Sequence, residues 1–409
     1  MQCRFCKKEL DHVFIDLVSA PASNSYLTRE QLNEPEFFYP LKVYVCDNCF
    51  LVQVDEYKKS AAIFNQDYAY FSSYSRTWLE HAKAYTEMMI GRFGFDENSQ
   101  VIEVASNDGY LLQYFKERNI PVMGVEPTAN TAEVAMQKGI KTIVEFFGTE
   151  LATRLREHWD VKADLLLGNN VLAHVPDIVD FVHGMKIILA ERGIITMEFP
   201  HLVQLIDKNQ FDTIYHEHFS YLSFYTVKQI FEEAGLVIFD VDQLPTHGGS
   251  LRIYARHAGD DAQAVTLRVD ELLALEKAKG VDNPVYYSGF DERAFRIKLD
   301  LLSFLIEQKN AGKRVAAYGA AAKGNTLLNY CGIKNDLVSF VADANPHKQG
   351  KWLPASHIPV VSESHLRSGQ PDYIIIFPWN LKEEIIHQLS YAREWGAKFV
   401  IPIPELAVL

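Results

Sequence analysis

The stretch VIEVASNDGYLLQYFKER, residues 101–118, decides the fold class of this chain. It opens with apolar and β-branched residues, continues through a polar and acidic turn, and then carries apolar residues at helical spacing. The same order of strand, turn and helix recurs up to the apolar stretch GIITMEFP, residues 193–200. Such regular alternation predicts an α/β domain built on a doubly wound parallel sheet.

Polar residues at the first two strand ends indicate the class of cofactor. Asn107 and Asp108 follow the first strand, and Glu126 ends the second strand 23 residues after Glu103. A carboxylate there can accept from both hydroxyls of a ribose, which nicotinamide dinucleotides and S-adenosylmethionine share. The first turn lacks the G-x-G-x-x-G pattern that cradles a pyrophosphate, and its acidic groups would repel one. The sequence therefore favours S-adenosylmethionine, whose ammonium and sulfonium suit acidic groups.

Length and charge limit the remaining classes of protein. The chain has 409 residues and a formal net charge of -13, and its length predicts two or three domains. The acidic balance argues against non-specific binding to nucleic acid or to anionic membranes, since both need a basic face. No apolar window suits a membrane span, and the start MQCRFCKKELDH lacks the apolar core of a signal peptide. We therefore expect no membrane association and a cytoplasmic location.

Four of the five cysteines form two pairs, Cys3-x2-Cys6 and Cys46-x2-Cys49, with 39 residues between the pairs. In a reducing compartment such residues are metal ligands or free thiols. Four thiolates make a structural tetrahedral zinc site, and this closed set leaves no open position for catalysis. We predict a zinc clip on a small lobe with no direct role in chemistry. A redox dithiol is the weaker alternative, and Cys331 is expected to be an ordinary core residue.

A dense acid–base cluster, Tyr215-His216-Glu217-His218, follows the strand GIITMEFP and an amphipathic stretch. We expect it at the carboxyl ends of the strands, where ligands bind in such sheets. His218 has the pKa of a general base, and Glu217 could fix its tautomer or accept a proton itself. Two alternatives stay open: a metal site built on His216 and His218, and a purely structural role for hydrogen-bonded histidines.

A second α/β unit begins at RVAAYGAAAKGNTLLNY, residues 314–330, which predicts a strand, a turn of small residues and a helix. The turn Gly319 to Gly324 could bind phosphate, because small residues expose backbone N–H groups at a helix start and Lys323 adds charge. It lacks the Walker pattern, so hydrolysis of a nucleotide triphosphate is not expected. A second nicotinamide site is a weaker alternative.

The chain resembles the NDP-sugar C-methyltransferases over essentially its whole length. The resemblance is carried by the two cysteine pairs and by the motifs EVASNDGYLL, GVEPTAN, LLGNNVLAHVPD, TIYHEHFSYLS, HGGSLR and YGAAAKGNTLLNYCG. It implies a class I methyltransferase Rossmann-like core, a small N-terminal zinc-binding lobe and a C-terminal Rossmann-like α/β domain. It also implies activity on 4-keto deoxysugar nucleotides. The chain departs from the family at Ala105, where such turns usually carry glycine.

The resemblance also implies roles for single residues. Tyr215, Glu217 and His218 fall on the family's Y-x-E-H active-site motif, with His218 as base and the other two polarising or positioning the sugar. His174 matches an active-site histidine that would stabilise an enolate or act as an auxiliary acid. Tyr68 and Tyr70 match a tyrosine-containing lid.

Two further sets of residues complete the expected site. The expected cofactor-binding residues are Glu103, Ala105, Asn107, Asp108, Gly109, Glu126, Pro127, Phe146, Asn169 and Asn170. The expected substrate-binding residues are His247, Gly248, Arg252, Lys323, Asn325, Thr326, Phe377, Trp379 and Asn380. The expected organisation is a zinc-binding lobe (1–56), a Tyr-rich lid and helix (57–90), the methyltransferase core with the catalytic motif (91–259), a helical connector (260–310) and the domain that holds the sugar nucleotide (311–409).

These observations predict a monomeric or weakly associating methyltransferase that uses S-adenosylmethionine. It would methylate C3 of a nucleotide-linked 4-keto-6-deoxysugar after His218 removes the C3 proton. An O- or N-methyltransferase could use the same core and the same histidine on a hydroxyl or an amine. A zinc-containing binding scaffold without catalysis is a further alternative, which the acidic balance disfavours.

Overall fold

The computed structural model describes residues 1–60 and 71–409. Tyr68 and Tyr70, the expected lid residues, lie outside the described residues. The strands are β1 His12–Ala20, β2 Tyr39–Val45, β3 Val52–Val54, β4 Val101–Val104, β5 Val122–Val125, β6 Lys141–Ile143, β7 Ala163–Asn169, β8 Leu189–Pro200, β9 Ser220–Tyr221, β10 Leu236–Leu244, β11 Ser250–His257, β12 Val315–Tyr318, β13 Val341–Ala342, β14 Val360–Val361, β15 Tyr373–Ile376, β16 Lys398–Ile401 and β17 Ala407–Val408. The helices are α1 Arg76–Phe93, α2 Leu112–Glu117, α3 Ala129–Gln137, α4 Thr149–Trp159, α5 Ile178–Ile188, α6 Leu202–Asp207, α7 Phe224–Glu233, α8 Leu267–Lys279, α9 Phe290–Asn310, α10 Ala322–Cys331, α11 Ser364–Gly369 and α12 Lys382–Gln388.

The central domain is a seven-stranded sheet in the order β10-β11-β8-β7-β4-β5-β6. Strands β4 to β8 pair in parallel, and β11 runs antiparallel to both of its neighbours. All four residues of β4 are buried, and they alternate between two cores: Ile102 and Val104 pack on one face of the sheet, Val101 on the other. Burial on both faces is the mark of a parallel sheet covered by helices. The predicted doubly wound core is confirmed.

The C-terminal domain is a second, six-stranded sheet in the order β14-β13-β12-β15-β16-β17. All its pairings are parallel except that of β16 with β17. The helices α8 and α9 lie between the two α/β domains in sequence. The predicted Rossmann-like C-terminal domain is therefore present.

The N-terminal lobe is an antiparallel sheet in the order β1-β2-β3-β9. Its edge strand β9 comes from the segment just after the Tyr215–His218 cluster and pairs Val52 with Tyr221. The lobe shares one hydrophobic core with α9 and the C-terminal domain, in which Phe14 and Phe290 stack at 4.7 Å. The lobe is thus an integral part of the fold and contacts the candidate active-site segment directly.

Within the two described ranges, no helix combines the length and the apolar character needed to cross a bilayer.

Candidate active site

The two cysteine pairs converge in the lobe. All four Sγ atoms lie within 4.8 Å of one another, and two pairs, Cys3 with Cys49 and Cys6 with Cys46, are 3.5 Å apart. A Zn–S bond of about 2.3 Å places tetrahedral sulfurs about 3.8 Å apart, so the cluster fits a zinc ion closely. Four thiolates would hold it as a closed structural site. Cys331 is buried in the hydrophobic core, as expected.

The turn after β4 is held in a tight conformation. Ala105, Asn107 and Gly109 have φ values of 56°, 50° and 73°. The Glu126 carboxylate ties this turn to the next strand end, because it accepts from the backbone N–H of Asn107 and of Thr128, both at 2.9 Å. Ala105 thus adopts the left-handed conformation that favours glycine, and the turn forms without one.

Polar groups with unused hydrogen-bonding capacity surround this turn. Asp108 Oδ1, Asn169 Nδ2 and Asn170 Oδ1 are buried and have no hydrogen-bond partner among the described residues. Burial also raises the pKa of the Glu103 carboxyl well above its usual range. Such groups, at the carboxyl ends of β4 and β7, suit the amino and hydroxyl groups of S-adenosylmethionine. Pro127, which follows Glu126, is half-buried, and Phe146, in the loop after β6, is 48% exposed.

The segment 71–77 lies against this turn. The Ser72 N–H donates to Asn107 Oδ1 at 2.9 Å, and the Ser73 N–H donates to Asp108 Oδ2 at 3.3 Å. On its other side the Thr77 hydroxyl donates to Glu384 of the C-terminal domain at 2.9 Å. This segment therefore touches both α/β domains.

His218 has one tautomer fixed by the backbone. Its Nδ1 lies 2.8 Å from the Thr213 carbonyl oxygen, which can only accept, so Nδ1 carries the proton and Nε2 keeps a lone pair. The His174 and Tyr215 rings lie beside it, with centroids 4.6 and 4.0 Å away. Burial, with a contribution from His174, holds the pKa of His218 well below its usual range. The ring is therefore neutral at pH 7 and able to accept a proton.

Glu217 was expected to fix the tautomer of His218 or to accept a proton itself. The first expectation is wrong, because the Thr213 carbonyl fixes the tautomer. Both oxygens of Glu217 instead accept from the Asn24 side-chain amide, at 2.9 and 2.8 Å. Burial raises the pKa of Glu217 to about 7. Asn24 comes from the N-terminal lobe, 193 residues away, and no local pattern marks it in the sequence.

The metal alternative at this motif is wrong for the described residues. His216 turns away from His218, packs against the Tyr39 ring at 5.7 Å and bonds the Pro40 carbonyl oxygen at 3.1 Å. Within residues 1–60 and 71–409, one group of His, Cys, Asp or Glu side chains is close enough together to hold a metal ion. That group is the four cysteines. His174 hydrogen-bonds the Glu217 backbone, and burial lowers its pKa to about 4.

The C-terminal domain closes the far side of the site. Lys323 Nζ donates to Asn380 Oδ1 at 2.9 Å and lies 4.5 Å from the centre of the Trp379 ring. The Trp379 indole N–H donates to Asp212 at 2.7 Å, and burial raises the pKa of that carboxyl to about 6. The charge of Lys323 contributes to the lowered pKa of His218, and burial lowers the pKa of Lys323 itself. Asp212 was not expected from the sequence.

The loop of His247 and Gly248 fits between the core and Trp379. Asn170 Nδ2 donates to His247 Nε2 at 2.9 Å. Gly248 has a φ of +92°, and a Cβ there would lie 2.5 Å from the Trp379 ring, so glycine is required. Burial, with the charge of Lys323, lowers the pKa of His247 to about 4. This loop joins the two domains at the site.

Other expected substrate-binding residues are engaged within the protein. Arg252 donates to buried Glu198 at 2.7 Å, so the structure commits its charge to the core and not to a phosphate. Asn325 donates to the Ser23 carbonyl at 2.6 Å, and Thr326 donates to the Ile214 carbonyl at 2.8 Å. These two side chains dock α10 onto the lobe and onto the segment before His218.

Phe377 is also buried within the protein. Its ring packs against Gly324, where a Cβ would lie 2.6 Å from it. Gly324 therefore lets α10 approach the end of β15 closely. Phe377 is part of this packing, while Trp379 and Asn380 of the same loop reach Lys323.

Comparisons with known proteins cover the whole chain. Three family models match: a zinc binding domain at residues 3–64, a methyltransferase domain at 78–241 and a C-methyltransferase C-terminal domain at 245–404. The C-methyltransferase NovU of Streptomyces niveus is 34% identical over 408 residues, a match that covers 100% of this chain and 96% of that protein.

Two solved structures that resemble this chain each cover less than half of it. A magnesium protoporphyrin IX methyltransferase from Synechocystis, with S-adenosylmethionine bound, is 13% identical and has a TM-score of 0.33, covering 43% of this chain and 78% of its own. A protein from Pyrococcus horikoshii is 10% identical and has a TM-score of 0.37, covering 46% of this chain and 95% of its own.

Proposed function

We propose for this chain, which belongs to the family of S-adenosylmethionine-dependent C-methyltransferases, that it methylates C3 of a nucleotide-linked 4-keto-6-deoxysugar through an enolate. One observation carries the proposal. His218 is neutral and keeps a lone pair on Nε2, in a site lined by residues of the core, the lobe and the C-terminal domain. Membership of this family favours carbon as the acceptor over oxygen or nitrogen.

His218 Nε2 removes the proton at C3 in this proposal. The Thr213 carbonyl supports that step, because its oxygen accepts the hydrogen bond from Nδ1, 2.8 Å away, and stabilises the imidazolium that forms. The low pKa of His218 lets it release the proton once the step is complete. Tyr215, whose ring lies 4.0 Å from His218, would position the sugar beside the base.

Negative charge then develops on the 4-keto oxygen. Lys323 supports its stabilisation, because its charge acts on both His218 and His247 and would act on the keto oxygen beside them. His174, 4.6 Å from His218 between ring centres, gives the N–H of its neutral ring to the Glu217 backbone and would help to position the sugar. S-adenosylmethionine, when bound, supplies an electrophilic methyl group that the enolate carbon accepts. Asp108, Asn169 and Asn170 would hold the methyl donor at the ends of β4 and β7.

The nucleotide half of the substrate would lie along the C-terminal domain, at the carboxyl ends of its parallel strands. Trp379 and Asn380 line that side of the site. The proposal includes a monomer or weak oligomer, and a cytoplasmic location where the four clustered thiols stay reduced.

The test is a screen of 4-keto sugar nucleotides with S-adenosylmethionine, read first as a gain of one methyl mass and then as the methyl position by NMR. Wild-type enzyme in heavy water should exchange the C3 hydrogen for deuterium, and His218→Ala should lose both exchange and methylation. Normal methylation by His218→Ala without exchange in the wild type would disprove the mechanism. A methyl group on oxygen or nitrogen would disprove carbon as the acceptor.

A further inference from the structure

Arg4 occupies an unusual position between the candidate zinc ligands Cys3 and Cys6. Its side chain points away from the cluster and donates to three backbone carbonyls. Nη1 donates to Val54 at 2.9 Å and to Phe219 at 2.8 Å, and Nε donates to Pro176 at 3.0 Å. The guanidinium also lies 5.5 Å from the centre of the Phe219 ring. Arg4 therefore reaches out of the lobe into the candidate active site.

Two of these carbonyls belong to the segments that carry the histidines. Phe219 directly follows His218, and Pro176 lies two residues after His174. The two segments are also joined to each other, because the Phe219 N–H donates to the Ala173 carbonyl at 2.8 Å. Arg4 closes this arrangement from the side of the lobe and so constrains the separation of His174 and His218.

The backbone of Arg4 is itself anchored to the cysteine cluster. Its N–H donates to Gln53 Oε1 at 2.9 Å, and Gln53 Nε2 donates to Cys3 Sγ at 3.2 Å. Cys3 and Cys6 fix both ends of the short knuckle once a metal holds them. Only arginine presents several N–H donors in a rigid plane, whereas lysine offers one flexible nitrogen. The knuckle thus places a rigid fork against two loops.

We propose that Arg4 is a positioning residue for the proton transfer, through which the zinc-binding knuckle sets the geometry of His174 and His218. The inference rests on the proposed function, in which His218 removes the proton. It changes the expected role of the lobe. The closed metal site takes no part in the chemistry, yet it determines how well the base is placed.

The experiment compares Arg4→Gln with Lys8→Gln in the full-length, zinc-loaded enzyme. Lys8 lies in the same knuckle region and loses the same charge, but its side chain pairs with Asp47 at 3.0 Å on the surface. We expect Arg4→Gln to lower kcat and C3 deuterium exchange together, by roughly 10- to 100-fold, since small misplacements of catalytic groups cost this much. The KM for S-adenosylmethionine should stay within about twofold, and zinc content should stay at one per chain. Lys8→Gln should behave as wild type.

A second variant separates positioning from loss of the fold. In Arg4→Ala, millimolar guanidinium should restore part of kcat, while the same concentration of ammonium should not. The imidazole NMR signals of His174 and His218 should shift in both Arg4 variants and stay unchanged in Lys8→Gln. A folded Arg4→Gln enzyme with wild-type kcat would overturn the proposal, as would unshifted histidine signals. Absence of C3 exchange in the wild type would instead disprove the proposed function, and the histidine signals would still test Arg4.

Discussion

The two α/β domains begin with the same device, a buried strand followed by a turn and a helix, and they differ in the side chains of that turn. In the core, the turn after β4 leaves Asp108 Oδ1 without a hydrogen-bond partner among the described residues. In the C-terminal domain, the turn after β12 carries no polar side chain, because Gly319, Ala320 and Ala321 form it, and the protein bonds its backbone. The Ala320 N–H donates to Asp343 at 2.7 Å, and its carbonyl accepts from Tyr26 at 2.6 Å and from Lys348 at 2.8 Å.

The helix that follows each turn repeats this contrast. Helix α10 commits Asn325 and Thr326 to the lobe and to the segment before His218, while Lys323 contacts Trp379 and Asn380. The same strand, turn and helix thus leave buried polar groups unbonded among the described residues of the core, and pack against the lobe in the C-terminal domain. The side chains at the turn, and not the fold, determine which use is made.

Substitution of Lys323 is expected to have the largest effect. Helix α10 packs against the lobe, yet in the proposed function it contributes this one charged group to the chemistry. We expect Lys323→Met to lower kcat by about 100-fold, the usual loss when one stabilising donor for an oxyanion is removed. The KM for the sugar nucleotide should change by less than about threefold. Steady-state kinetics with Lys348→Met as the control would check this. A large rise in KM with unchanged kcat would assign Lys323 to phosphate binding instead.

Asp108 lies in the turn after β4, whereas Asp343 directly follows β13 and bonds the turn after β12. Asp108→Asn should weaken the binding of S-adenosylmethionine by about 10- to 100-fold, because a hydrogen bond to a charged group contributes about 1.5–3 kcal/mol. Asp343→Asn should leave the dissociation constant of S-adenosylmethionine within about twofold of the wild-type value, since that carboxylate bonds Ala320. Calorimetric titration of both variants measures the difference. Equal losses would show that the contrast between the turns is wrong.

The ionisation of Glu217 should make the activity depend on pH. Burial favours the neutral acid and raises the pKa of Glu217 to about 7, so the carboxylate that accepts from Asn24 forms only as the pH rises through 7. The pKa values of His174 and His218 are lowered, so both rings stay neutral there. The kcat/KM should therefore rise through pH 7, with about one tenth of the plateau left at pH 6. In Glu217→Gln the fall of kcat/KM below pH 7 should disappear. If it persisted, Glu217 would not be the group that titrates.

The smallest expected effect is on stability, when glycine replaces Ala105 or Ala321 in the two turns. Ala105 has a φ of 56°, whereas Ala321 has a φ of -99°. Glycine at position 105 should leave stability unchanged or raise it by up to about 1 kcal/mol, because it relieves left-handed strain and offsets its own entropy cost. Glycine at 321 should lower stability by up to about 1 kcal/mol. Thermal unfolding midpoints of the two variants give the sign, and a drop at both positions would contradict this account.

Much of the fold was predictable because its signals are local. The alternation from Val101 onward predicted the doubly wound core, and the stretch from Arg314 predicted the second α/β domain. Strand β9 was missed, because two residues carry no periodicity and their pairing with β3 joins segments far apart in sequence. The expectation of a passive zinc clip also missed the contacts of Arg4 and Asn24.

The candidate site was predictable as a set of residue types but not as a set of contacts. The structure brings together His174, Tyr215 and His218, as the motifs suggested. Lys323, which the sequence assigned to phosphate binding, acts through its charge on the pKa of His218 and His247. It joins Glu217 to Asn24 rather than to His218, and it joins Arg252 to Glu198 rather than to a ligand. Hydrogen bonds of this kind depend on direction and distance, which residue spacing does not give for partners far apart in the chain.

The sequence by itself determined the four thiolates, the two Rossmann-like units and the Y-x-E-H cluster, because spacing and periodicity are written along the chain. Only the tertiary structure decided which groups act on which. It fixed the His218 tautomer through the Thr213 carbonyl, placed Lys323 against Trp379 and extended Arg4 from the zinc knuckle to both histidine segments. The physical reason is that protonation, pKa and orientation depend on burial and on partners that meet only when the three domains pack together.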